Sequence, residues 1–265
     1  MKQFIFTLAI VLMGTLGLCA AETTNPHAYL KRLDVFLSTG TVEEQLAQIN
    51  STQDSIIASN HGDTKARWAI TKTILETTND TTSTFAQMVE KANKNYTLAG
   101  VNLKSWEAAA YLTLLIDAKY VKNLPASRVE EGIEYLKQST GAATRLGRVL
   151  ERLGRTDEAI AVYKKSMFWE CQDRYMYLAT KKNRAEAYEQ WIAWGVAGKL
   201  PPKTAKEYVN TIVNYYLVDA NTDKAAFKKK LEIMTIVYSN KMTNEQRQKE
   251  WNTFVAILKN TIGLL

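Results

Sequence analysis

Leu146-Gly147-Arg148-Val149-Leu150, then after three residues Gly154-Arg155-Thr156-Asp157-Glu158-Ala159-Ile160-Ala161-Val162-Tyr163, is the stretch that decides the fold. Apolar residues recur here at spacings of three and four on both sides of Gly154, the period of an amphipathic helix. Gly154 interrupts the pattern, and glycine is the residue that most readily takes the left-handed conformation that ends a helix. The stretch therefore predicts two short helices folded back on each other.

The same period continues along the chain. Helices are predicted over residues 26–38, 41–58, 63–78, 83–96, 105–123, 127–139, 142–153, 156–168, 173–181, 184–198, 202–219, 223–239 and 243–262. Five segments open with a capping-box pattern: Thr41 with Glu44, Thr84 with Gln87, Ser127 with Glu130, Thr204 with Glu207 and Thr243 with Gln246. In that motif the hydroxyl accepts from a free first-turn N–H, and the acid or amide reaches back to the cap residue. With only 12 Gly and 4 Pro among 265 residues, the chain has too few turn residues for a many-stranded sheet. The predicted helices fall into pairs whose starts lie about 30–42 residues apart, the range in which helix hairpins stack into solenoids. A pair cannot bury its apolar face alone, so neighbours must stack.

The first residues read as an export leader: Lys2 supplies the charge, residues 4–18 are apolar, and Cys19-Ala20-Ala21 are small. The apolar run is shorter than the roughly 20 residues a spanning helix needs, so removal after Ala21 is expected rather than anchoring. The competing reading is that Leu16-Gly17-Leu18-Cys19 resembles the lipobox of bacterial lipoproteins, which would leave Cys19 acylated and tether the chain to a membrane surface. Leu18 departs from that pattern, which usually has Gly, Ala or Ser before the cysteine. Residues 22–265 form one helical domain in this reading, with a sub-boundary near residues 199–202, where Pro201-Pro202 follows Gly198. The polar run at residues 77–83 reads as a loop within the domain.

The net charge of +7 is mild, and the basic residues are spread over nearly every predicted helix rather than gathered on one. That distribution argues against a nucleic-acid partner. Beyond Cys19 the only cysteine is Cys171, so the domain has no internal disulfide and holds by packing. A small secreted domain of animal type would carry several bridges, whereas a large helical domain of a bacterial envelope need not. The glycosylation triplets at Asn50, Asn79 and Asn95 are read as chance in a chain rich in Asn and Thr.

Residues 143–168 resemble the tetratricopeptide repeat family in Leu146-Gly147, the turn glycine Gly154, Ala159 and Tyr163. Gly147 and Ala159 would let two backbones approach, and Tyr163 would fill the space between hairpins. Ala143, Ser166 and the missing terminal proline depart from the pattern. A poorer copy begins near Gln172, where Ala187 and Trp191 repeat the Ala159 and Tyr163 spacing, so the resemblance covers about residues 143–194. It implies an all-α, right-handed superhelix of about 12–13 helices. It also implies a concave groove, lined by the first helix of each pair, that binds proteins or peptides.

That alignment places Arg148 and Arg152 on the groove. They stand one helical turn apart, and two guanidinium groups so placed can grip a carboxylate; the alternative is a solvated pair leaning on Glu151 and Asp157. Residues 163–194 are also aromatic. Tyr163, Phe168 and Trp191 fall at interior spacings, whereas Trp169, Tyr175 and Tyr177 lie near a turn or helix start, where a ring can serve as a binding surface. Trp169 and Tyr177 join the arginines as candidate binding residues. Catalysis finds little footing: His27, His61 and Cys171 form no local motif, and no His/Cys cluster has metal-ligand spacing. Phosphate loops and nucleophile elbows are missing, and the pairs Glu43-Glu44 and Glu130-Glu131 diverge on a helix. Cys171 is expected to be a buried, inert thiol. No catalytic residue, cofactor or metal is expected.

The sequence thus leads to an exported, periplasmic or cell-surface scaffold of a bacterium. It is expected to be non-enzymatic and to bind a protein or peptide bearing an acidic or carboxylate group, without spanning the membrane. An envelope structural or assembly subunit, tethered through Cys19, is the alternative. A helical carbohydrate-active hydrolase comes third.

Overall fold

Short amphipathic segments need neighbours, and the arrangement of the helices follows from that. The computed structural model of the chain describes residues 40–78, 80, 82–117 and 127–265. The leader, the helix expected over residues 26–38 and the end of the helix expected over 105–123 lie outside them. The described residues form thirteen α-helices and no strand. These are α1 Val42–Ser51, α2 Gln53–Ala58, α3 Gly62–Thr77, α4 Phe85–Leu98, α5 Ser105–Asp117, α6 Ser127–Lys137, α7 Ala143–Arg152, α8 Thr156–Lys165, α9 Trp169–Lys182, α10 Arg184–Val196, α11 Pro202–Val218, α12 Lys224–Ser239 and α13 Glu245–Leu264. The chain divides into two compact units between Leu153 and Gly154.

Local chemistry explains most boundaries. Thr41 and Thr84 build the expected capping boxes: Glu44 N–H donates to Thr41 Oγ1 at 3.2 Å, and Thr84 N–H donates to Gln87 Oε1 at 2.7 Å. Two expected caps move. At α11 Pro201 occupies the cap and Pro202 the first turn, where a missing N–H costs nothing, so Thr204 lies inside the helix and is buried. At α13 Asn244 takes the cap that Thr243 was expected to hold, its Oδ1 accepting from Arg247 N–H at 2.9 Å. Ser127 is the first residue of α6, and what precedes it is outside the described residues. The single helix expected over 41–58 is two helices. Ser51 Oγ donates to Gln48 O and Thr52 Oγ1 to Ile49 O, both at 2.8 Å, and hydroxyls so placed compete with the backbone ladder. Gly154, with φ +75°, closes α7 as expected, and Gly198, with φ +68°, closes α10. There the N–H groups of Gly198 and Lys199 return to Gly195 O and Trp194 O at 3.0 and 2.8 Å.

In the first unit, each helix packs on the next and most also on the next but one: α3 touches α1, α2, α4 and α5, and α5 touches α3, α4, α6 and α7. α3 is enclosed nearly all round. Trp68, Ala69, Ile70, Ile74 and Leu75 form its apolar part. Its polar side carries a network: Lys72 pairs with Glu76 at 2.8 Å and donates to Asn50 Oδ1 at 2.6 Å, while Asn95 of α4 donates to Thr73 Oγ1 at 2.9 Å and Glu76 Oε2 at 3.1 Å. Burial alone would raise the Glu76 pKa, but the hydrogen bonds from Lys72 and Asn95 and the charges of Lys72 and Lys91 outweigh it, and the carboxyl titrates below its ordinary 4.5. Three consecutive buried alanines, Ala108, Ala109 and Ala110, keep α5 slim. Against α5 lies Gly132 of α6, where a Cβ would sit 2.2 Å from Thr113 Oγ1 and 2.9 Å from Phe85 Cζ.

The second unit follows the rule in part, with α9 on α8, α10 and α11, α10 on α12, and α13 on α11 and α12. Its core is aromatic. Phe254 meets Trp191, Tyr238 and Trp251 at ring separations of 6.1, 5.2 and 5.8 Å, and Tyr238 meets Trp251 at 4.5 Å. Polar atoms of this core hold the connection between α10 and α11: Leu200 N–H donates to Tyr238 Oη at 2.9 Å, Trp191 Nε1 to Thr204 O at 3.3 Å, and Gln172 Nε2 to Lys199 O at 3.0 Å.

Two outcomes check this packing. Gly132→Ala should destabilise the protein by about 1–3 kcal/mol in urea titration through overpacking; unchanged stability would mean that α5 and α6 are not in this contact. Glu76→Gln should cost about 2–3 kcal/mol by leaving the Lys72 ammonium enclosed without its counter-charge. Because the Glu76 pKa is lowered on folding, its contribution is complete above about pH 4.5 and fades as pH falls through the folded value. The variant should therefore lose less stability than wild type between neutral pH and pH about 3.5, and parallel pH profiles would exclude this role.

Candidate functional site

α7 buries Leu146, Gly147, Val149 and Leu150 and turns its arginines outward. Arg145, Arg148 and Arg152 share the outer face by helical spacing. Arg145 is engaged: its Nη2 stands 3.4 Å from Glu107 Oε1, and its guanidinium carbon 5.7 Å from the centroid of Tyr111, both on α5. Arg148 and Arg152 are exposed, and neither forms an ion pair among the described residues. Asp157, one of the acids weighed as their partner, pairs with Lys182 at 2.5 Å, and the neighbouring Glu158 pairs with Arg155 at 2.6 Å.

The aromatic residues of the second unit sort differently from expectation at two positions. Tyr163 and Trp191 are interior, as predicted. Phe168, predicted interior, is 52% exposed, because α8 ends at Lys165 and Phe168 stands in the extended connection to α9. Tyr175, predicted on the surface, is 1% exposed. α9 begins at Trp169 rather than near residue 173, which puts Tyr175 on the inward stripe with Cys171, Gln172, Met176 and Ala179 and edge-on to Trp194 at 5.1 Å.

Trp169 and Tyr177 are exposed as predicted, at 41% and 47%. Their rings carry cations: Lys203 Nζ lies 3.9 Å from the Trp169 centroid, and Lys181 Nζ and the Arg174 guanidinium lie 3.6 and 4.7 Å from that of Tyr177. A face held by a protein cation is not open to stack on a sugar.

Sequence reasoning missed a cleft of about 400 Å³ beside Met167. It is built from three connections, contributing Met167, the run Gly198–Pro202, and Lys241, together with Arg247, Glu250 and Trp251 of α13. These residues are far apart in sequence and share no period. The available signal was Met167-Phe168-Trp169, three consecutive large apolar residues that no single helix face can bury.

His61 is exposed at the start of α3, Glu44 serves as a cap, and Glu131 pairs with Arg128 at 2.9 Å. Among the described residues no group of three His, Cys, Asp or Glu side chains could hold a metal, and no helix is long and apolar enough to cross a membrane. A scan of protein-family models, a search of curated proteins and a search of solved structures each found no match for the chain.

Cys171 is fully buried on the inward face of α9. In the native protein it should resist iodoacetamide, with alkylation of its peptide read by mass spectrometry rising only as the second unit unfolds. Rapid native labelling would place the thiol at the surface.

Proposed function

We infer that the chain is an exported, non-enzymatic scaffold of stacked helix hairpins, of tetratricopeptide-like design, that binds a protein or peptide through an acidic or carboxylate group. The observation that carries the reading is the pair Arg148 and Arg152. Two exposed guanidinium groups one turn apart, without ion pairs among the described residues, keep their hydrogen-bonding capacity for a ligand. The packing of most helices on the next and the next but one, within each unit, is the contact pattern that stacked hairpins produce, and it supports the repeat design. Export rests on the leader read in residues 1–21, with placement in the periplasm or at the cell surface of a bacterium following from it.

Affinity capture of envelope proteins with the mature chain should recover a partner through α7. The double variant Arg148→Ala with Arg152→Ala should weaken that binding about tenfold or more, the scale of losing a charge-assisted hydrogen bond. Undiminished binding would remove α7 from the site, and hydrolysis of a glycan panel would replace the scaffold with an enzyme.

A further inference from the structure

The cleft beside Met167 combines three features. The first is its apolar lining: Leu200 and Trp251, 2% and 4% exposed, belong to the core beneath it, whereas Met167 is 52% exposed and is followed by the exposed Phe168 and Trp169.

The second feature is charge. Lys199, Lys241 and Arg247 line the cleft against a single carboxylate, Glu250, and Lys203 stands just outside on the Trp169 ring. None of these four cations forms an ion pair among the described residues. Lys241 Nζ instead donates to Gly198 O at 2.7 Å, which fixes its ammonium at the edge.

The third is rigidity. The run Gly198–Pro202 is held by the Gln172, Tyr238 and Lys241 hydrogen bonds and by two prolines. Burial, partly offset by the Leu200 N–H, pushes the Tyr238 phenol up to about 12, so that clamp does not titrate near neutrality. A preformed cleft loses little entropy on binding.

We propose that this cleft binds an acidic peptide segment of another protein, seating one bulky apolar side chain between Met167, Leu200 and Trp251 while its carboxylates meet Lys199, Lys241 and Arg247. The charge complementarity selects an acidic ligand and steers its approach. The concavity favours a polypeptide over an anionic lipid surface: a side chain can enter it, whereas a bilayer meets only what projects. Its volume of about 400 Å³ lies within the range of ligand pockets. This second site lies at the helix connections of the second unit and shares no residue with α7. It rests on the scaffold reading only in taking the ligand for a polypeptide.

The test uses a fluorescein-labelled peptide in which Glu and Asp alternate with Phe, the same peptide with Lys in place of the acids, and phosphatidylcholine vesicles containing phosphatidylglycerol. Fluorescence anisotropy should show binding of the acidic peptide alone, and methionine-methyl NMR should show the Met167 signal moving while that of Met88, buried in the first unit, stays. Lys199→Glu with Arg247→Glu, both at exposed positions, should weaken the peptide about tenfold or more, and Arg148→Ala with Arg152→Ala should leave it unchanged. If the α7 variant abolishes binding and Met167 does not move, the peptide sits on α7, and the cleft proposal fails while the scaffold reading stands. Failure of the acidic peptide to bind, equal binding of the Lys peptide, or binding of vesicles in its place would each overturn the proposal. Should the charge-reversed protein fail to fold, the Met167 response of the wild type still decides.

Discussion

Most of the helices described in this chain are too short to stand alone, and that constraint governs the rest of the structure. The helices run from six residues in α2 to 20 in α13, and isolated helices shorter than about 12–15 residues are marginal in water. With the lone described cysteine buried and in no disulfide, stability must come from covering each apolar stripe with neighbouring helices. Contact with the next helix, the next but one, or both gives most stripes two or more partners. It also demands close approach at several points, met by Ala108–Ala110 on α5, by Gly132 on α6 and by Gly195 on α10, where a Cβ would fall 2.3 Å from Met234 Cε.

The two units meet this constraint with different chemistry. In the first, the enclosed helix α3 carries Lys72, Thr73 and Glu76 inward, and Asn50 and Asn95 complete their hydrogen bonding. A buried network of this kind is a poor source of net stability, because desolvation offsets the attraction, but it fixes which residues of α1, α3 and α4 face one another. In the second, large rings fill the core and polar atoms appear at its edge, where Tyr238, Gln172 and Trp191 bond the backbone between α10 and α11. Glu189 ties three helices there, accepting from Tyr216 Oη at 2.7 Å and Lys230 Nζ at 3.0 Å. Its pKa, which burial would raise, is held low by those donors.

The helices were legible because periodicity and caps are local signals. Boundary errors occurred where a stronger local competitor stood nearby. Pro201-Pro202 displaced Thr204 from the cap, Asn244 outranked Thr243, and the hydroxyls of Ser51 and Thr52 broke a helix that the apolar spacing alone would continue. The site suffered more than the fold from such shifts. An error of three or four residues at the junction of α8 and α9 exchanged the roles of Phe168 and Tyr175, since it took Phe168 off a helix and moved Tyr175 from a helix start into the middle of one. Arg148 and Arg152 kept their exposure because the inward stripe of α7 is the one its apolar spacing shows, and Trp169 and Tyr177 are exposed although α9 starts earlier than expected. The cleft was invisible to periodicity, since its walls come from connections brought together by the aromatic core.

The basic surplus of the sequence, spread evenly along the chain, takes on meaning only once structural cations are separated from the rest. Lys72, Arg128 and Arg145 serve the first unit, and Lys182 and Lys230 the second, each in an ion pair. Lys224 closes the end of α11 by donating to the carbonyls of Tyr216, Leu217 and Asp219, where the helix dipole favours a cation. Arg148 and Arg152 remain on one helix face of the first unit, and Lys199, Lys203 and Arg247 remain beside exposed apolar side chains in the second. A single unpaired lysine on open polar surface is well solvated and implies nothing, unlike two guanidinium groups one helical turn apart. Beside an apolar surface it is different, because an acidic ligand can neutralise the charge and cover the surface in one event, and each contribution lowers the cost of desolvating the other. That coupling separates the cleft of the second unit from the many other lysines of the chain.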